Sequence, residues 1–220
     1  MDTIFQNFQP LSFHDDKDSC LNFGGLLTKM GIWTEGEFCW IHPSAAAKNA
    51  ILEEYYLTLD CQTFDAFINH CNVLYVKVNI SNQSNRQQTI KMYLQQEIEC
   101  PQEQDVVYYA PNEQAMFHHS ADHAFLCNGK YKEKGIIQYS MKSKEQDLLS
   151  HLWKDMPKGK LCFQPFSTGK VTSAFTLEGN LGPYETHAAY YWLIKGQNSQ
   201  NAHMLNQFLQ KNTLEFRKEK

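Results

Sequence analysis

NVLYVKVNISNQSNRQQTIKMYLQQEIE, residues Asn72 to Glu99, decides the fold. Leu74, Val76, Val78 and Ile80 fall on one face in its first half. Ile90, Met92, Leu94 and Ile98 do so in the second, with Gln96 as the one polar break. Apolar side chains at every second position mark a strand with one buried face. Between the halves lies SNQSNR, whose Asn and Ser side chains bond their own backbone and favour a turn. The pattern predicts one long antiparallel hairpin. Lys77, Asn79, Lys91, Gln95 and Glu97 are then expected on a solvated face. Such a hairpin needs a second layer to cover its apolar side.

Short strands with turn signals between them extend the pattern. Gly31–Trp33 and Glu37–Ile41 read as a small hairpin carrying Trp33, Phe38 and Trp40. His42–Ala50 reads as a loop or a short helix after Pro43. Ile51–Leu59 and Thr63–Ile68 read as two strands. Asp105–Ala110, Ala115–His118 and His123–Cys127 follow, punctuated by Pro111-Asn112 and Asn128-Gly129. Ser143–Trp153 breaks the period: Ser143 and Gln146 have capping-box spacing, and Leu148, Leu149 and Leu152 fall at helical intervals. Strands resume at Lys170–Leu177 and Glu185–Lys195. A last helix is expected from Asn198 or Ser199 to about Asn212, with Ala202, Leu205, Phe208 and Leu209 on one face. The expectation is an all-β protein: a large two-layer antiparallel sandwich with a helical insertion and a C-terminal helix. Residues 1–19 form a lead-in, 20–196 the sandwich, and 197–220 the helix and tail.

Composition narrows the function. The chain has 220 residues, 42% hydrophobic and 13% aromatic, which suffices for one large core. Its net charge is −4 and basic residues are scattered, which argues against a nucleic-acid surface. No apolar run approaches the ~18 residues of a membrane span, and the first residues lack the pattern of a signal peptide. The seven cysteines form no C-x-x-C pair. That suits reduced, mostly buried thiols in a cytoplasmic protein, with no metal and no cofactor.

Four segments carry a family resemblance: GIWTEGEFCWI (Gly31–Ile41), the Asn72–Ile98 stretch, VVYYAPNEQAMFHH (Val106–His119) and AYYWLIKGQNSQNAHMLNQFL (Ala189–Leu209). Together they resemble the N-terminal domain of bacterial family 15 glycoside hydrolases, the glucoamylase and glucodextranase group. The resemblance implies a β-supersandwich related in shape to galactose mutarotase. In that family an (α/α)6 toroid follows and carries the two catalytic carboxylates. No position of this chain matches those carboxylates. The resemblance therefore implies a non-catalytic accessory module. Its expected partners are a glycoside hydrolase catalytic domain, a second copy met through the C-terminal helix, or α-glucan.

The residues themselves offer few alternatives. Glu97 and Glu99 share a strand face at roughly 7 Å, a spacing compatible with glycoside hydrolysis, but a solvated sheet face is the plainer account. Glu35 and Glu37 flank a turn glycine. His118, His119 and His123 would suit zinc on a helix, yet their flanks read as strands. A mutarotase-like enzyme would need His118 or His119 to meet Glu97 in the groove of the sandwich. Sugar C–H faces stack on aromatic rings, so Trp33, Trp40, Tyr109, Tyr191 and Trp192 are the candidate stacking residues, with Tyr108 and Tyr190 as alternates within their adjacent pairs. A stand-alone carbohydrate-binding module would show such rings exposed.

Overall fold

The computed structural model of the chain describes residues 9–10, 20–41, 50–121, 123–144, 152–196 and 199–212. In chain order the elements are β1 (Gln9–Pro10), β2 (Leu21–Phe23), β3 (Leu26–Thr34), β4 (Glu37–Ile41), α1 (Ala50–Glu54), β5 (Leu57–Ile68), β6 (Cys71–Asn82) and β7 (Gln88–Ile98). There follow β8 (Val106–Ala110), β9 (Ala115–His119), β10 (Ala124–Tyr131), β11 (Gln138–Ser143), β12 (Trp153–Asp155), β13 (Lys160–Leu161) and β14 (Phe166–Thr168). The series ends with β15 (Val171–Leu181), β16 (Thr186–Gly196) and α2 (Ser199–Asn212).

Two antiparallel sheets face each other. Sheet A has the order β1-β5-β6-β16-β10-β9-β8-β14. Sheet B has the order β11-β15-β7-β3-β2, with β4 also paired to β3. The all-β sandwich expected from the pattern is the fold, but its deciding stretch is not a hairpin. β6 pairs with β5 and β16 in sheet A, whereas β7 pairs with β15 and β3 in sheet B. The chain arches from one layer to the other at residues 83–87. The two apolar faces read from the sequence, Leu74/Val76/Val78/Ile80 and Ile90/Met92/Leu94, lie in one core cluster between the sheets. The second layer that a hairpin would lack is supplied within the same stretch.

Asn82 fastens the arch. Its amide nitrogen donates to the carbonyls of Arg86 (2.7 Å) and Gly182 (2.8 Å), and its Oδ1 accepts from the Ser84 N–H (2.9 Å) and hydroxyl (2.7 Å). Those bonds satisfy backbone groups that a sharp inter-sheet turn would otherwise leave without partners.

The faces expected to be solvated are covered over half their length. Val73 and Tyr75 on the outer side of β6 are buried beneath α2. The apolar positions of α2 expected on one face, Ala202, Leu205 and Leu209, are buried against Trp192, Ile194, Leu126 and Tyr75, and Phe208 packs beside them. Each buried leucine contributes ~2 kcal/mol. The helix therefore spends its apolar face on its own sheet. On β7, Lys91 and Tyr93 are buried, while Gln95 and Glu97 are half-buried.

Local readings differ at three further places. Residues 50–54 are helical, so Ile51–Leu59 is not one strand, and Thr63–Ile68 belongs to the same long β5 that begins at Leu57. Leu57 and Thr63 bury on this strand while Thr58 and Asp60 do not. The helical insertion falls mostly on residues 145–151, outside the described residues, as does the expected loop at 42–49. At its flanks, Ser143 ends β11 and Trp153 begins β12, so neither is helical. No helix among the described residues is long and apolar enough to cross a membrane.

Candidate functional site

The outer face of sheet B carries the exposed indole of Trp40, with a run of polar side chains further along it. Phe38 and Trp40 point outward from β4 because Cys39 and Ile41 point into the core. Gly31, opposite Trp40 on β3, leaves room for the Phe38 ring: a Cβ there would lie 2.5 Å from Phe38 Cζ. Phe38 meets Trp40 edge-on at 4.9 Å, Trp40 meets Tyr93 at 5.6 Å, and Tyr93 stacks on Trp153 at 4.7 Å. Within this box Tyr93 is sealed and Trp40 is 43% exposed.

A polar ladder runs from the box along β7. The Tyr93 hydroxyl donates to Gln95 Oε1 (3.2 Å) and Gln95 Nε2 donates to Glu97 Oε1 (3.4 Å). Glu97 also accepts from Thr172 Oγ1 (2.8 Å) and Lys144 Nζ (2.6 Å). Burial and the Glu97 charge both push the Tyr93 phenol upward, so it is a neutral donor at any ordinary pH. An exposed indole on the same sheet face as an amide and a carboxylate is the kind of surface that takes a polyol: the ring covers C–H bonds and the polar groups meet hydroxyls.

The hairpin of β12 and β13 closes the rest of this face. Trp33 Nε1 donates to the Met156 carbonyl (2.9 Å). Lys91 Nζ donates to the Gly159 carbonyl (2.8 Å), pairs with Glu178 at 3.6 Å and sits 4.8 Å above the Trp33 ring. Gln138 donates to the same Gly159 carbonyl and accepts from the Leu161 N–H. Trp33 is thus a buried anchor of the hairpin and presents no stacking face, contrary to the expectation.

Three other aromatic candidates are placed differently. Tyr191 is fully buried between the sheets, its hydroxyl 3.0 Å from Thr28 Oγ1. Trp192 is fully buried on the opposite side of β16 under α2, its Nε1 donating to Asn206 Oδ1 (3.0 Å). Neither is available to a ligand. Tyr109 points into the open edge of the sandwich, stacks on Tyr139 at 4.1 Å and is half-buried, with Phe163 against Tyr139. Of their neighbours, Tyr190 is buried and Tyr108 lies parallel to the rings of both Phe117 and His119.

The acid/base candidates do not converge. Glu97 lies on the outer face of sheet B. His119 lies on the outer face of sheet A, its Nε2 3.2 Å from the Tyr108 hydroxyl. His118 is sealed between the sheets, where Nε2 lies 3.1 Å from Ser173 Oγ and Ser173 donates on to Gln96 (3.2 Å). Desolvation drives the His118 pKa down to about 3, so this imidazole is neutral. The polar break at Gln96 is explained here: it is one of a chain of polar groups that crosses the core. Glu99 sits just past β7 and accepts from Asn22 (3.1 Å), while Glu35 accepts from the Thr89 N–H. Consecutive residues of β9 point to opposite faces, so His118 and His119 cannot share a metal. Among the described residues no three His, Cys, Asp or Glu side chains gather as metal ligands.

No family model matches the chain, and no curated relative matches it. Solved structures align with it. A bacterial glucoamylase complexed with acarbose aligns over 84% of this chain and 29% of its own, with a TM-score of 0.46 and 11% identity. The Slr1438 protein from Synechocystis sp. PCC 6803 aligns over 87% of this chain and 66% of its own, with a TM-score of 0.37 and 7% identity. The chain thus spans under a third of the glucoamylase.

Proposed function

We propose that this chain is a non-catalytic accessory module of the glucoamylase-like kind, one that packs on a catalytic domain or partner chain and contacts α-glucan through the outer face of sheet B. The four resembling sequence segments support the class. The observation that carries the contact is Trp40: the set of candidate stacking rings reduces to this exposed indole, backed by Tyr93 and Trp153, with Gln95 and Glu97 continuing the ladder from Tyr93. The enzyme reading loses its motive because Glu97 and the two histidines face different sides of the sandwich.

The test is a fluorescence titration with malto- and isomalto-oligosaccharides, with products assayed in the same tubes. A saturable change that Trp40→Ala reduces at least tenfold, without new reducing ends, is the expected result. A flat response overturns the saccharide contact. Hydrolysis or epimerisation by the pure chain overturns the non-catalytic assignment.

A further inference from the structure

Two tyrosines at the arch end of sheet A are held in a backbone conformation that favours glycine, and their rings are left in solvent. Tyr56 follows α1 with φ 53° and is 62% exposed. Tyr184 has φ 53° and is 71% exposed; it follows Pro183 in a turn closed by the Glu185 N–H to the Gly182 carbonyl (3.2 Å). Glycine or asparagine serves such positions at lower cost, and a non-glycine residue there is strained. A buried ring would offset the strain through packing. These rings do not.

Both are tied to the same arch. The Gln83 N–H donates to the Tyr56 carbonyl (2.8 Å), and the Tyr184 N–H donates to the Ser84 carbonyl (3.2 Å). Tyr56 leads into β5 and Tyr184 leads towards β16, the two strands that pair with β6 on either side. The two backbones therefore stand about two strand spacings apart, roughly 10 Å. Between those strands the outer face shows a row of hydroxyls, Thr58, Ser81 and Thr186, in direct cross-strand register, with Thr186 Oγ1 donating to Ser81 Oγ (2.8 Å). The next row holds Asp60 with Asn79 (3.0 Å). This is the half of the outer face where those rows are exposed or half-buried, the other half lying under α2.

We infer that the Tyr56–Tyr184 end of sheet A is a binding surface for a neutral oligosaccharide. Hydroxyl and amide groups that both donate and accept match sugar hydroxyls, which do the same; a phosphate or carboxylate ligand asks for donors alone. Two exposed rings carried on backbones about 10 Å apart suit an extended chain of sugar units. The site is independent of Trp40, which lies on the outer face of the other sheet.

The experiment is isothermal titration of the full chain and of Trp40→Ala with malto-, isomalto- and cello-oligosaccharides, repeated with Tyr56→Gly, Tyr184→Gly and the double substitution. The glycine variants relieve the backbone strain. The expected result is binding in the Trp40→Ala background that falls at least tenfold in the double variant, while its melting temperature equals or exceeds that of the parent. Binding that survives the double substitution overturns the inference. So does a fall in melting temperature, which would make the rings structural, or a concentration-dependent dimer abolished by the double substitution in a chain that binds no sugar, which would make this end an interface between copies. Loss of binding through Trp40→Ala alone would remove this site and leave the sheet B contact standing.

Discussion

Trp192 and Asn206 are joined by a 3.0 Å hydrogen bond from indole Nε1 to amide Oδ1, buried between sheet A and α2. The same oxygen accepts from Asn128 Nδ2 (2.9 Å), and Asn206 Nδ2 donates to the Glu113 carbonyl (3.3 Å). Gln210 adds a second bond to that carbonyl (2.9 Å), and His203 pairs with the Glu113 carboxylate. One asparagine thus holds the helix, the sheet and the β8–β9 turn together. Asn206→Ala leaves two buried donors without an acceptor, and its expected cost is about 2–4 kcal/mol in denaturant unfolding. Asn206→Leu restores volume without the acceptor and is expected to recover little. A loss below 0.5 kcal/mol, on the order of an ordinary surface substitution, would contradict the account.

Gly159 makes a second clamp testable. It has φ 58°, and a Cβ there would lie 2.8 Å from the Trp33 ring and 3.1 Å from Lys91 Cδ. Gly159→Ala combines left-handed strain with a collision against a buried indole, so a loss of about 1–3 kcal/mol is expected. Because Trp33 Nε1 bonds the same hairpin, its fluorescence should shift to the red as water reaches it. An unchanged spectrum and stability would show that the hairpin gives way freely.

His118 supplies a pH dependence with a definite sign. Burial lowers its folded pKa to about 3 from an ordinary 6.5. Below pH 6.5 the unfolded chain takes up a proton that the folded chain refuses. The stability is therefore fully present above 6.5 and is lost as pH falls towards 3, by up to about 1.4 kcal/mol per pH unit. Half-buried His119 is shifted the same way by desolvation. Carboxylates held low, such as Glu185 beside Lys132, add their own acid loss at lower pH. The diagnostic is the difference in slope between the parent and His118→Gln over pH 6.5 to 4. Identical slopes would place the protonation elsewhere.

The thiols should separate by reactivity. Cys100 is exposed. Burial pushes Cys39 up to about 11 and Cys61 up to about 12, and raises Cys127 well above its ordinary value. A thiol reagent at pH 8 is expected to modify Cys100 in a fast phase that Cys100→Ser removes, with Cys127 reacting only on unfolding. Fast labelling of Cys127 would mean that the core opens locally.

Much of the core was legible in advance. Every second residue from Leu74 to Ile80 and from Ile90 to Leu94 does face the core. What alternation cannot reveal is whether two such strands bond side by side or face each other across a gap, because both arrangements bury the same residues. The six-residue turn fits either geometry; Asn82 bonding to Gly182, far along the chain, decides for the arch. Tyr75 and Tyr93 were the overlooked signal, since aromatic rings on both supposedly wet faces mark surfaces that something covers. Residues 50–54 carry no helical signal in the sequence because a five-residue helix is too short to show its period. At the site, Trp40 and Trp192 look alike in sequence. Only the placement of α2 and of the β12–β13 hairpin separates an open ring from sealed ones. The left-handed backbone of Tyr56 and Tyr184 left no trace in residue type, because tyrosine is not what such turns ordinarily use.

The arch also sets the order in which the molecule can assemble. A hairpin would zip from its turn as soon as both arms left the ribosome. Here β6 finds β5 at once but waits for β16 near the far end of the chain, and β7 meets β3 behind it and β15 well ahead. Pairings so distant in sequence are slow to form. Until Thr186–Gly196 has been made, the faces of β6 and β7 have no complete sheets to hold them. The same feature that lets one stretch supply both walls of the core makes a truncated or stalled chain sticky, and makes the last third of the sequence the step that commits the whole to its native state.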